Sequence, residues 1–257
     1  MKPIFVLGFC VATLLARSAG AAVIENVTTS TVLFSDNFES GAFMPAVGSE
    51  SAGPDVTVTN APTPGAAEGS FYASLFRDSD EISQGNLFLS YASQTNPGDE
   101  IQLRMMVYIP SGSDVDARGQ FILDNGDFNT ARAWARPDGA GNVDAVVAGL
   151  TAVPTGLHYA TDTWQEWDLI YDIGASTFSV AVNGVVASGF DSVTTGSLDH
   201  ADLFNGSHSS GTVFLDAVPA TATTGAPEPS AIALGALGLL ALGAARRRSI
   251  LRTVFNA

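Results

Sequence analysis

Residues 177–187 of this 257-residue chain read TFSVAVNGVVA. Apolar residues alternate with small or polar ones on either side of Asn183-Gly184, as they do in half-buried strands. Asn and Gly tolerate the positive φ angles that both central positions of a two-residue hairpin turn require. The segment therefore predicts an antiparallel β-hairpin with strands at 177–182 and 185–187.

Strand-like patterns recur along the rest of the chain, separated by clusters of Gly, Pro, Asn, Asp and Ser. They occupy residues 31–38, 55–59, 71–76, 86–92, 99–109, 119–124, 130–136, 164–171 and 211–218. No stretch between residues 23 and 218 holds a helical period for three turns, so the chain is predicted to be all-β. About two hundred residues is a size that a single β-sandwich reaches.

The two ends of the chain have a different composition. Met1-Lys2, an apolar run from Ile4 to Leu15 and the small residues Ala19-Gly20-Ala21 have the order of a secretory signal peptide. We therefore expect residues 1–22 to be a signal peptide and the mature chain to begin at Ala22 or Val23. Residues 219–226 read as a flexible linker.

The carboxy-terminal segment combines a short motif, an apolar run and a basic cluster. The motif is Pro227-Glu228-Pro229, and the fifteen apolar or small residues 231–245 follow it. A helix of that length is about 22 Å long, shorter than the roughly 30 Å hydrocarbon core, so we expect one short transmembrane helix. The cluster Arg246, Arg247 and Arg248 favours the cytoplasmic side, where it acts as a stop-transfer signal before a tail at 249–257.

This arrangement over residues 227–248 resembles the PEP-CTERM sorting signal of exported bacterial proteins. The resemblance implies processing by an exosortase, a membrane protease-transpeptidase. It further implies passage through the inner membrane of a Gram-negative bacterium, anchored by the helix until processing. The destination would be the cell surface or the extracellular matrix.

The exported part is strongly acidic once the two ends are set aside. Five of the eleven basic residues and twenty-five of the twenty-six acidic residues remain, a net charge of about −20. Such a surface repels nucleic acid, so no nucleic-acid partner is expected. The exported part has no lysine and no cysteine. Its stability must therefore come from core burial without disulfides, with bound metal as a possible addition.

Four short segments carry a second resemblance, at residues 34–41, 164–171, 178–184 and 213–218. Together they are similar to a concanavalin A-like, laminin-G-like jelly roll that would cover residues 23–218. The resemblance implies an antiparallel two-sheet jelly-roll sandwich. Because this fold hosts lectins, polysaccharide lyases, glycosidases and adhesive modules, it leaves the function open.

The resemblance also implies a structural Ca²⁺ ion that joins the first and last strands. Asp36 and Glu39 near the start and Asp216 near the end supply the hard oxygen ligands that calcium prefers. A second acidic stretch, residues 124–127, resembles the start of an EF-hand loop. Its twelfth position is Ala135, where such a loop needs glutamate, so a plain turn is expected there.

Trp134, Arg132 and Arg136 are the candidate ligand-binding residues. Their spacing of two places all three on one face of a strand, where the ring could stack on a sugar and the arginines hold its acidic group. The alternative is that Trp134 packs in the core and the arginines pair with surplus acids.

Catalytic candidates are scattered along the chain. Glu166 and Asp168 share a strand face, but Ile170 stands where a glycosidase of this fold has a third acid, so the polar side of a strand is favoured. Residues 200–208 read as a polar loop containing His200 and His208, and His158-Tyr159 could serve a lyase with Arg132 or Arg136.

The leading prediction is a non-enzymatic carbohydrate-binding or adhesive protein associated with exopolysaccharide. A polysaccharide lyase or glycoside hydrolase is the alternative, and a structural protein without a defined ligand is the third.

Overall fold

The computed structural model describes residues 22–77, 85–114, 119–204 and 211–218. Within these ranges the chain forms sixteen strands and one 3₁₀ turn, Phe128–Thr130. The strands are β1 Ala22–Asn26, β2 Thr31–Asp36, β3 Ser49–Ala52, β4 Val56–Thr59, β5 Tyr72–Arg77, β6 Asn86–Gln94, β7 Glu100–Tyr108, β8 Gln120–Asp124, β9 Ala133–Pro137, β10 Asn142–Val147, β11 Thr151–His158, β12 Trp164–Asp172, β13 Thr177–Val182, β14 Val185–Asp191, β15 Leu198–Phe204 and β16 Gly211–Asp216.

The strands build two antiparallel sheets that enclose the core. The seven-stranded sheet has the order β11-β10-β9-β8-β15-β6-β3. The nine-stranded sheet has the order β14-β13-β12-β7-β16-β5-β4, with β1 also beside β7 and β2 beyond β1. The predicted all-β, antiparallel two-sheet sandwich is therefore confirmed.

Strand β7 has three neighbours, because two strands share one of its edges. Residues 101–105 of β7 pair with β1, and residues 106–108 pair with β16. The other edge of β7 pairs along its whole length with β12. The first and last described strands therefore lie one after the other along β7, at the centre of the nine-stranded sheet.

Strand β12 shows how the sequence pattern fixes which side chains reach the core. Gln165, Trp167, Leu169 and Tyr171 are buried, whereas Glu166 on the opposite side is half-buried. This is the predicted orientation. Complete burial of a side chain such as Leu103 on neighbouring β7 stabilises the fold by about 2 kcal/mol.

The predicted hairpin is also present. Asn183 has a φ angle of 49° and Gly184 one of 77°, as a two-residue turn with two positive φ angles requires. The second strand runs to Asp191, beyond the predicted end at 187.

Five strands were not predicted: β1, β3, β10, β11 and β15. Among them, β15 corrects a specific prediction, because His200 and Asp202 lie in a strand between β8 and β6 rather than in a polar loop.

Several predicted features lie outside the described residues. They are the signal peptide up to residue 21, the linker, the Pro227-Glu228-Pro229 motif, the apolar run 231–245, the cluster Arg246, Arg247 and Arg248, and the tail. Within the described ranges, no helix has the length and apolar character needed to cross a bilayer.

Candidate functional site

The seven-stranded sheet has an outward face opposite the core. Its core-facing residues include Leu87, Leu89, Phe121, Leu123, Ala133, Ala135, Ala201 and Leu203. Because side chains alternate along a strand, the residues between them point away from the core. These are Phe88, Ser90, Gln120, Ile122, Asp124, Trp134, Arg136, Asp144, His200 and Asp202, and we call this surface the Trp134 face.

Strand register places Trp134 and Asp202 in one row across this face. Ile122 on β8 pairs with Trp134 on one side and with Asp202 on the other. In the next row, His200 pairs with Asp124 and with Ser90. Since neighbouring strands are about 4.8 Å apart, roughly 10 Å separates Trp134 from Asp202.

Trp134 is held in place on this face and remains partly exposed. Its indole Nε1 donates a hydrogen bond to Oε1 of Gln120 at 3.1 Å. Arg136 lies on the same face with its side chain 43% exposed, and its Nη2 is 3.5 Å from Oδ2 of Asp144. Trp134 and Arg136 thus share a face, as their spacing predicted, and Trp134 does not pack in the core. Their role in binding a ligand stays a prediction.

Arg132 lies directly before β9, which begins at Ala133, and its main-chain N–H donates to the main-chain oxygen of Leu123 on β8. That all three residues project from one face stays a prediction, but Arg132 is not exposed as Arg136 is. The side chain of Arg132 is buried, with the residue only 4% exposed. The guanidinium donates to the main-chain oxygens of Ser197 and Thr130 and to the hydroxyl of Thr194. Arg132 therefore fixes the segment that precedes β15.

Asp124 and Asp202 form a buried carboxyl pair on the Trp134 face. Asp124 is fully buried and Asp202 is 8% exposed. Oδ1 of Asp124 accepts the main-chain N–H of Gly126 at 2.8 Å. Apart from a proton shared within the pair, no described residue donates a hydrogen bond to Oδ2 of Asp124 or Oδ1 of Asp202.

Burial, followed by the charge of Asp124, raises the pKa of Asp202 to about 7. Burial also raises the pKa of Asp124, while the Gly126 hydrogen bond and His200 oppose this rise. Near neutral pH the pair therefore holds one proton, which Asp202 donates to Asp124.

The surroundings of the pair come from several elements. Nδ1 of His200 lies 2.5 Å from Oδ1 of Asp199. The turn at Gly126, with a φ of 90°, packs on the His200 ring, since a Cβ there would lie 3.6 Å from it. The sequence contained one signal for this cluster. His200 and Asp202 are two residues apart, and in a strand such residues lie on the same face.

The segment Asp124–Asp127 forms the expected turn. The hydrogen bond from Gly126 to the side chain of Asp124 closes it, and the 3₁₀ turn follows directly. The EF-hand likeness thus has a local explanation in an Asp-initiated turn.

The three predicted calcium ligands are all anchored by main-chain N–H groups. Asp36 accepts from Phe38 and Met44, Glu39 from Ser70 and Phe71, and Asp216 from Ala67, Glu68 and Ala217. Glu39 and Asp216 thereby reach the same segment, 67–71. Burial raises the pKa of Asp216 to about 6, its main-chain donors oppose this, and Glu39 adds to it.

The described residues contain no group of three or more His, Cys, Asp or Glu side chains arranged to hold a metal ion. The calcium ion at Asp36, Glu39 and Asp216 stays a prediction.

The residues that the sequence suggested for catalysis do not lie together in the described structure. Glu166 and Asp168 lie on the outward face of the nine-stranded sheet, where Nε of Arg104 is 3.3 Å and 2.9 Å from their carboxylates. They form the ion-paired polar side of a strand, as predicted. Tyr159 is buried and its hydroxyl donates to the main chain of Asp138, whereas His158 is exposed at the end of β11. His208 lies outside the described residues.

Comparison with known proteins gives similar structures but no related sequence. No protein-family model and no curated protein sequence matches the chain. A sialidase is similar at a TM-score of 0.49 and 8% identity, over 77% of this chain but only 18% of the sialidase. An alginate lyase of polysaccharide lyase family 7 is similar at a TM-score of 0.44 and 11% identity, over 59% of this chain and 78% of the lyase. The carbohydrate-binding module CBM66 from Bacillus subtilis is similar at a TM-score of 0.37 and 11% identity, over 57% of this chain and 92% of the module.

Proposed function

We propose that this chain is a non-enzymatic carbohydrate-binding protein whose ligand lies on the Trp134 face. The observation that supports this most directly is a partly exposed tryptophan whose indole N–H is fixed by Gln120. An indole ring stacks on the apolar face of a sugar, and neighbouring polar groups such as Arg136 and Asp144 can bond its hydroxyls. A ring that is already held loses little conformational entropy on binding.

The aromatic residues of the opposite sheet are less suited to this role. Tyr72, Tyr108, Trp164 and Phe214 pack edge to face with ring centroids 5.4–6.0 Å apart. Nε1 of Trp164 also donates to the main-chain oxygen of Gly65, and the Tyr72 hydroxyl donates to Ala61 and Thr63. These rings anchor the segment 61–65, whereas Trp134 packs on no other aromatic ring within the described part of the chain.

Replacement of Trp134 tests this proposal. Binding of the full chain to a panel of neutral and acidic polysaccharides is measured by calorimetry, with melting curves to confirm that each variant is folded. Loss of a central aromatic anchor costs about 2 kcal/mol, so Trp134→Ala is expected to weaken binding roughly 30-fold. Trp164→Ala, the same change on the opposite sheet, is the control and should retain binding. Equal affinity of wild type and Trp134→Ala would place the ligand elsewhere.

A polysaccharide lyase or glycoside hydrolase is the second candidate, and Asp202 favours it. A carboxyl group whose pKa is about 7 can donate a proton near neutral pH, and Asp124 and His200 lie beside it. An enzyme would release oligosaccharides, and Asp202→Asn would abolish that release while glycan binding persists. A binding module releases no product in the same assay. A purely structural or adhesive protein would bind no glycan of the panel.

We also propose that the protein is exported and processed at its PEP-CTERM-like signal. The support is the sequence order of signal peptide, Pro227-Glu228-Pro229, apolar run and arginine cluster. In a Gram-negative host with an exosortase, mass spectrometry should find the secreted chain without the apolar run. Replacement of the three motif residues by alanine should leave the chain uncut in the membrane fraction. Cleavage of this variant in the same host would refute recognition of the motif.

A further inference from the structure

The Trp134 face has an excess of carboxyl groups over basic groups. Arg136 is its exposed cation, and the carboxylate of Asp144 lies 3.5 Å from it. Arg132, which the sequence placed on this face, is 4% exposed and donates to main-chain oxygens. A sugar carboxylate that approaches Trp134 therefore meets one arginine that already has an acidic partner.

The Asp124–Asp202 pair adds negative charge in the row of Trp134. Both residues are more than nine-tenths buried, and each has a carboxyl oxygen that accepts no hydrogen bond from any described residue outside the pair. The groups that face the pair are the Gly126 N–H and Asp127 in the turn after β8, Arg132 before β9, His200 and its partner Asp199 on β15, and Tyr91 on β6. Arg132 keeps its positive charge and offsets one negative charge of the pair, while Asp127 adds another, so three carboxyl groups stand against one guanidinium.

We propose that the Trp134 face selects glycans without carboxylate or sulfate groups, and that the Asp124–Asp202 pair is the determinant that excludes anionic glycans. This rests on the proposed carbohydrate-binding function. Two like charges about 10 Å apart, at effective dielectric constants between about 20 and 80, weaken binding roughly 2- to 15-fold. An oligouronate brings several such charges, so the discrimination increases with each sugar that covers the face.

Binding of two hexasaccharides to the full chain tests this selection. The probes are a neutral β-glucan hexamer and a uronate hexamer, compared by calorimetry at low ionic strength, where surface charges are little screened. The neutral hexamer is expected to bind at least tenfold more tightly. The double variant Asp124→Asn, Asp202→Asn should reduce this ratio severalfold. Glu100→Gln removes one exposed acid from the nine-stranded sheet and should leave the ratio unchanged.

The pH dependence provides a second readout that does not need the double variant. As pH rises through about 7, Asp202 loses its proton and the pair gains charge, so uronate binding should weaken in the wild type. The variant Asp202→Asn keeps a donor toward Asp124 but has no proton to lose, and its uronate binding should vary less over the same interval.

The possible outcomes separate this inference from the proposed function. Tighter binding of the uronate than of the neutral hexamer would overturn the selection and leave carbohydrate binding intact. The ratio of neutral-hexamer to uronate-hexamer affinity could also stay the same in the double variant and at every pH. The carboxyl pair would then not be the cause of the selection. Failure of both hexamers and of the wider polysaccharide panel would refute carbohydrate binding itself, and the selection with it.

Discussion

Glu50 is a buried acid whose replacement by glutamine should stabilise the protein at neutral pH. It lies on the edge strand β3 and pairs with Leu89 of the core, so its side chain points into the sandwich. Both of its carboxyl oxygens are buried and accept no hydrogen bond from the described residues. Burial, followed by a hydrogen bond to Asp36 and the charge of Asp36, raises the pKa of Glu50 to about 8.

The sign and size of the effect follow from this shift. The pKa in the unfolded chain is 4.5, so the stabilising contribution of protonated Glu50 is complete below pH 4.5 and is lost as pH rises toward 8. Between pH 4.5 and pH 7 the loss amounts to roughly 3 kcal/mol. Glu50 is partly accessible to water at the sheet edge, which reduces this figure to about 2 kcal/mol.

The variant Glu50→Gln keeps the size of the side chain and a donor toward Asp36 but cannot ionise. At pH 7 it should be about 2 kcal/mol more stable than the wild type, a rise in Tm of about 4–8 °C for a domain of this size. At pH 4 the two proteins should melt together. Thermal melts between pH 4 and pH 9 in a chelator measure this, since Asp36 is also a predicted calcium ligand.

Glu100→Gln is the control for a change of net charge, because Glu100 is exposed. A Glu50→Gln variant that melts below the wild type at pH 7 would show that the folded state stabilises the ionised carboxylate. A difference in Tm that is the same at pH 4 and pH 7 would likewise refute the proton shared with Asp36.

Three other predictions concern backbone space, an ion pair and the calcium site. Gly48 has a φ of 82°, and an added Cβ would lie 2.8 Å from the Phe34 ring and from the Ser90 oxygen. Gly48→Ala should therefore cost at least about 2 kcal/mol in urea unfolding, whereas Gly112→Ala, with open space around it, should cost much less. Arg104→Met removes the cation between Glu166 and Asp168 and should lower stability by about 1 kcal/mol at pH 7. The loss should be smaller at pH 3, and equal losses would contradict the ion-pair explanation. Millimolar calcium should raise the Tm of the wild type but not of Glu39→Gln, and an unchanged wild-type Tm would count against the predicted site.

The parts of the fold that the sequence predicted are those determined by neighbouring residues. The 177–191 hairpin depends on local alternation and on a turn whose two residues accept positive φ. The orientation of β12 depends on the same alternation, which places Trp167 inside and Glu166 outside. Such signals are complete within about ten residues, so they can be read without the tertiary structure.

Strand β15 could not be predicted in the same way because its partners are far away in the sequence. Asp is depleted in strands, and the two aspartates Asp199 and Asp202 make this segment read as a loop. Its place between β8 and β6 supplies hydrogen bonds on both edges, and burial of Ala201 and Leu203 adds to its stability. The Asp124–Asp202 pair exists only through this pairing, so no local pattern contained it. The burial of Arg132 has a related cause, because its partners Thr194 and Ser197 lie some sixty residues further along the chain.

Because basic residues are few, the buried acids of this protein are stabilised by other groups than arginine and lysine. With five basic residues for twenty-five acidic ones in the exported part, most carboxyl groups have no arginine or lysine to pair with. One group of carboxylates accepts main-chain N–H donors, as Asp36, Glu39 and Asp216 do. Another group shares protons, as Glu50 does with Asp36 and Asp202 with Asp124. Burial raises the pKa of Asp216 to about 6, of Asp202 to about 7 and of Glu50 to about 8, whichever donors they have. An acid with a raised pKa in the folded state contributes stability that is present when it is protonated and is lost as pH rises through that pKa. These three groups should therefore make the domain more stable at mildly acidic pH than at pH 8, with successive losses between pH 4 and pH 8.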